Sequence, residues 1–151
     1  MTIDKSGEWW IGSDINDLNE YLIAFTEDGY PIDEFRLAKC ECGCDTFFLE
    51  ADCDQGAARR TCVKCKKQHF ICDSEEIWEE SEPEEWACDC NCNETNIGVG
   101  FAMRKRDLEP GEKQDVKWIN VGCRCTKCGM LGCFVDWKID YGPSHHLLDQ
   151  V

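Results

Sequence analysis

The chain has 151 residues, 42% of them hydrophobic, with 14 cysteines, six tryptophans and a formal net charge of −15. No stretch approaches the roughly 18 apolar residues of a membrane-spanning helix, and so acidic a surface repels a phosphate backbone, which disfavours nucleic acid as a partner. Residues 1–8 carry no apolar segment of the secretory kind, so a cytoplasmic protein is expected, whose reduced thiols serve metal binding rather than disulfides.

Residues 1–38 contain no cysteine. Within 13–26, Ile15, Leu18, Leu22 and Phe25 recur at helical spacing and predict one amphipathic helix, capped by Ser13 or Asp14. Glu27-Asp28-Gly29-Tyr30-Pro31 ends it. Trp9 and Trp10 are expected to cover the core, and Phe35 and Leu37 to form a short strand leading to Cys40.

Residues 39–74 form a first unit. Cys40-Glu-Cys42-Gly opens it and Cys62-Val-Lys-Cys65 follows. Strands are predicted at 46–49, 57–62 and 69–72, with a turn from Asp52 to Gly56. Residues 75–86 hold a run of glutamates with Pro83 and read as an acidic linker, which Ile77 and Trp78 pin to a neighbouring unit. Residues 87–141 form a second unit, with Cys88-Asp-Cys90-Asn and Cys125-Thr-Lys-Cys128-Gly. Ile97, Val99 and Phe101 alternate with glycine, which predicts a strand with close backbone approach on one face. A turn at 109–112 and strands at 116–121 and 134–137 complete the unit, and a tail of 142–151 ends in a short helix. The units are an internal repeat: Cys42 over Cys90 puts Cys44 over Cys92, and Cys65 over Cys128 puts Asp73 over Asp136.

Paired thiolates on tight turns, separated by a strand-length insertion, are what tetrahedral zinc requires. The residue after such a turn favours positive φ, which Gly43, Asn91 and Gly129 accept; Lys66 is the exception. The predicted ligands are Cys40, Cys42, Cys62 and Cys65 for one zinc, and Cys88, Cys90, Cys125 and Cys128 for a second. Cys44, Cys92 and Cys123 remain alternative ligands by spacing. Cys72 and Cys133 are expected as small core side chains, and Cys53 has no assigned role. His69 is expected as a packed or surface residue, and His145 and His146 to face water.

With these knuckles the chain resembles tandem zinc ribbons over roughly residues 38–140, and the layout is similar to that of bacterial proteins with two four-cysteine ribbons. Its Cys-x-Cys-Gly first knuckle departs from the usual Cys-x-x-Cys-Gly. The expected fold is mostly β, a small α+β protein of two ribbon units behind an N-terminal helical segment. No nucleophile elbow, phosphate loop or His-Glu-x-x-His motif is present, and four thiolates leave zinc no open position, so no enzymatic activity is expected. The expected role is a zinc-stabilised module that binds another protein. Two alternatives stand beside it: nucleic-acid binding through Arg59, Arg60, Lys64, Lys66 and Lys67 or through Arg104, Lys105 and Arg106, and rubredoxin-like electron transfer by iron.

Overall fold

The alternation of glycine with large apolar residues at 97–101 lies at the centre of the molecule. In the computed structural model, which describes residues 3–105 and 108–151, this stretch belongs to a nine-residue strand with both faces covered. The strands are β1 (Ile3–Asp4), β2 (Ile11–Gly12), β3 (Glu34–Leu37), β4 (Phe47–Asp52), β5 (Ala57–Cys62), β6 (Gln68–Phe70), β7 (Glu84–Glu85), β8 (Thr95–Met103), β9 (Val116–Cys125) and β10 (Leu131–Lys138). Among the described residues, one helix, α1 (Asp17–Thr26), and two 3₁₀ turns, Ser74–Glu80 and His145–Asp149, complete the fold, which is mostly β.

The main sheet runs β10-β9-β8-β4-β5-β6, with β3 added to β8 and β7 added to β4. Its centre is a crossing of equivalent residues. β4 and β8 pair antiparallel at Phe47 and Thr95, and the alignment that puts Cys42 on Cys90 also puts Phe47 on Thr95. A local two-fold axis therefore passes between these strands. The flanking strands obey it. β3 pairs Leu37 with Gly98 and Arg36 with Val99; β7 pairs Glu85 with Glu50 and Glu84 with Ala51. The Ala38 amide donates to Ile97 O at 2.9 Å, and the equivalent Trp86 amide donates to Leu49 O at 2.7 Å. The strand leading into each first knuckle thus completes the sheet of the other half. One buried cluster extends from Ala38, Phe47 and Leu49 through Val99, Phe101 and Val121 to Leu148.

The acidic stretch takes part in this exchange. Ser74–Glu80 forms a 3₁₀ turn whose Trp78 packs edge-on against Phe70, with ring centroids 5.5 Å apart. Asp52 Oδ2 accepts the Glu82 amide at 2.8 Å, β7 follows, and Trp86 is buried.

Glycine supplies the close approach that alternation predicts. A β-carbon on Gly98 would stand 2.5 Å from Phe35 Cζ, one on Gly100 2.8 Å from Ile32 Cγ2, and one on Gly122 3.1 Å from Leu22 Cδ1. Only bare backbone lets α1 and its following loop lie this close to β8 and β9.

Several local expectations are corrected. The helix begins at Asp17, not near Ser13, and Asn16 caps it without a side-chain bond. Asp14 instead accepts the Asn16 amide at 2.8 Å. Leu18 and Leu22 are fully buried, but the stripe continues to Thr26, whose hydroxyl donates to Leu22 O at 2.8 Å. Phe25 lies about 100° away from Thr26 around the helix and is 52% exposed. Trp10 packs on the Ile3, Leu18 and Leu131 cluster, whereas Trp9 is exposed. β6 ends at Phe70 because Cys72 takes φ 58° and turns the chain toward the tail, where its amide donates to Gln150 O at 2.8 Å. His145 does not face water freely: it is half-buried, with Nδ1 2.9 Å from Gln114 O.

Candidate metal centre

Each first knuckle is a backbone turn with the same bonds. The Cys40 amide donates to Cys44 O and the Gly43 amide to Cys40 O, both at 2.8 Å; the Cys88 amide donates to Cys92 O and the Asn91 amide to Cys88 O, again at 2.8 Å. Gly43 has φ 93° and Asn91 φ 73°. The second knuckles match as well: the Lys66 amide donates to Cys62 O at 3.0 Å and the Gly129 amide to Cys125 O at 2.9 Å. Lys66, the position that lacks glycine or asparagine, still adopts φ 67°. Turn geometry, not residue type, decides its conformation.

These turns bring the eight predicted cysteines together as two quartets, Cys40, Cys42, Cys62 and Cys65, and Cys88, Cys90, Cys125 and Cys128. In each, the four sulfurs lie within 4.8 Å of one another. Cys40 Sγ is 3.4 Å from Cys65 Sγ and Cys42 Sγ 3.6 Å from Cys62 Sγ. In the second quartet the matching separations are 3.4 Å and 3.5 Å. A tetrahedron with metal–sulfur bonds of about 2.3 Å has sulfurs about 3.8 Å apart, so the donor set fits one such ion in each quartet.

The backbone favours thiolate at both. The Cys65 amide donates to Cys62 Sγ at 3.4 Å and the Cys128 amide to Cys125 Sγ at 3.5 Å. The Cys65 amide, first among several donors, lowers the Cys62 thiol to about 6. The Cys92 amide likewise holds Cys90 below its ordinary value. Burial pushes Cys88 up. Four sulfurs this close cannot all ionise without a cation among them, and a divalent ion supplies that charge.

The alternative ligands stand elsewhere. Cys44 Sγ donates to Thr46 O at 3.5 Å, and the equivalent Cys92 Sγ to Glu94 O at 3.6 Å. Cys123 shares a strand face with Cys125 but is buried, donating to Gly132 O at 3.6 Å; burial raises its thiol pKa. Cys72 is buried beside Leu147 O, and Cys133 is half-buried with a thiol pushed up to about 12 by burial. Cys53 is exposed and donates to Phe134 O at 3.3 Å. His69 lies outside both quartets, with Nε2 3.1 Å from Gln150 O.

Most of these basic residues bond within the chain. Arg59 pairs with Glu50 at 2.8 Å, and Lys67 pairs with Glu41 at 2.6 Å. Arg60 is buried over the Phe47 ring and donates to Val151 O. Lys66 donates to Val63 O, Lys105 pairs with Asp33, and Arg104 donates to Ile139 O. Lys64 is exposed, and Arg106 lies outside the described residues. No family model, no curated protein and no solved structure matches the chain, so the fold and its two cysteine quartets carry the functional argument.

Proposed function

We propose that the chain is a non-enzymatic, protein-binding module held in shape by two structural zinc ions, arranged as two interlocked ribbons. The observation that supports this most is the pair of all-thiolate quartets with the same turn bonds. Four protein sulfurs complete the coordination of zinc and leave no position for substrate or activated water. Each quartet joins a first knuckle to the turn of a hairpin, β5–β6 or β9–β10, and so staples the sheet rather than lining a cleft. With Arg59, Lys67 and Lys105 ion-paired within the chain and the net charge at −15, the surface suits a basic or neutral protein better than nucleic acid.

Elemental analysis of untagged protein grown with zinc and iron both available tests the metal. About two zinc per chain and no colour are expected from two four-thiolate sites; iron at either site overturns the structural-zinc reading. Chemical cross-linking in cells, with stoichiometry read by mass spectrometry, tests the binding role. A stoichiometric protein partner is expected, and recovery of background proteins alone overturns it.

A further inference from the structure

Phe25, excluded from the buried stripe of α1, forms a ridge between two concavities. Its ring stacks on Tyr21 with centroids 5.8 Å apart. On one side lies a largely apolar groove of about 260 Å³, lined by Trp9, Trp10, Tyr21, Ala24 and Leu131. On the other lies a hollow of about 160 Å³ lined by Tyr30, Trp118, Asn120 and Asp136, at the C-terminal end of the helix. Trp9 and Tyr30 are 49% and 46% exposed. Large rigid aromatics exposed on both sides of a ridge are the usual anchors of a protein contact.

The hollow has specific polar character. Asn120 is only 2% exposed, and its Nδ2 has no acceptor among the described residues. Asp136 stands opposite it across the β9–β10 ladder. Glu27 and Asp28 follow the helix, whose last turn contains no basic residue, so the negative end of the helix dipole adds to their charge. Of the residues that line the two concavities, Glu8 and Asp136 are carboxylates and none is lysine or arginine. Two of the chain's own lysines already use the rings of this face: Lys5 Nζ lies 4.5 Å from the Trp10 centroid and Lys117 Nζ 4.4 Å from that of Tyr30.

We infer that this face docks an extended basic segment of a partner protein. A bulky apolar side chain of the segment fills the Trp9–Leu131 groove. An arginine or lysine of the segment lies beside Asp136 at the end of α1. A second copy of this acidic chain is the wrong partner, because like net charges oppose its approach. The inference rests on the protein-binding reading above and adds the surface and the chemistry of what it binds.

Panning phage-displayed random peptides on the zinc-loaded full-length protein tests it, with selected peptides resynthesised and their affinities measured by fluorescence anisotropy. Selected sequences are expected to carry arginine or lysine within a few residues of a large apolar side chain. Phe25→Ala is expected to weaken binding about tenfold or more, and Asp136→Asn about fivefold with a shallower salt dependence. Leu108→Ala, at an exposed site elsewhere, is expected to leave binding unchanged. Zinc content and circular dichroism establish that each variant is folded, and Trp9→Ala serves as the second groove variant should Phe25→Ala fail that check. Selection of acidic peptides, no selection at all, or equal binding to every variant overturns the assignment. So does a dimer in sedimentation that dissociates on Phe25→Ala. Peptides that bind all variants equally place the contact elsewhere and leave the protein-binding reading standing; the cross-linking experiment alone removes that reading.

Discussion

Lys66 holds a conformation that its repeat partner gives to glycine. Its φ of 67° matches the 81° of Gly129, and a left-handed non-glycine residue costs roughly 1–2 kcal/mol. Lys66→Gly gives back part of that strain, partly offset by a more flexible unfolded chain, so stability should rise by about 0.5–1 kcal/mol. Denaturant unfolding with zinc in excess checks this. The quartets make a sharper claim. Cys44→Ser and Cys92→Ser should keep about two zinc per chain, because both thiols point to backbone carbonyls, while Cys65→Ser should lower the count toward one; elemental analysis distinguishes them. The spacing of these cysteines was legible in the sequence. The choice between Cys42 and Cys44, or between Cys90 and Cys92, was not settled by spacing alone: it follows from turn bonds that aim one sulfur inward and the next at its own strand.

At the scale of elements, the alternation of glycine with apolar residues in β8 foretold a close contact but not its occupant. That occupant is Phe35 with α1. Gly98→Val should therefore destabilise the protein by about 1–3 kcal/mol through overpacking, whereas Gly29→Ala, with nothing within 4 Å of the added carbon, should change stability by less than about 0.5 kcal/mol. Thermal unfolding of the zinc-loaded proteins measures both. The helix shows why periodicity falls short. Leu18 and Leu22 are placed correctly by spacing, but Phe25 and Thr26 compete for the next inward position. Thr26 takes it because its hydroxyl bonds back to Leu22 O, a satisfaction that hydrophobicity does not register.

The whole molecule is held by exchange. β3 and β7 each complete the sheet of the opposite half, so neither cysteine unit completes its sheet alone. Fragments 1–80 and 81–151 should each give the narrow amide dispersion of an unfolded chain in NMR spectra, with native dispersion returning on mixing in the presence of zinc. Chelation of intact protein should produce a single cooperative transition rather than two, since zinc binding energy here is folding energy shared through one core. Two well-separated transitions, or an independently folded fragment, would contradict the interlock.

What the sequence determined by itself is local: which thiols sit on turns, where glycine or asparagine accepts a left-handed backbone, and which segments alternate as strands. Such features depend on neighbours a few residues apart, and the chain encodes them directly. The two-fold crossing at Phe47 and Thr95 and the exchange of β3 and β7 were decided by tertiary structure. Backbone hydrogen bonds are the same for every residue, so which distant strand satisfies an edge is set by how all buried faces pack together.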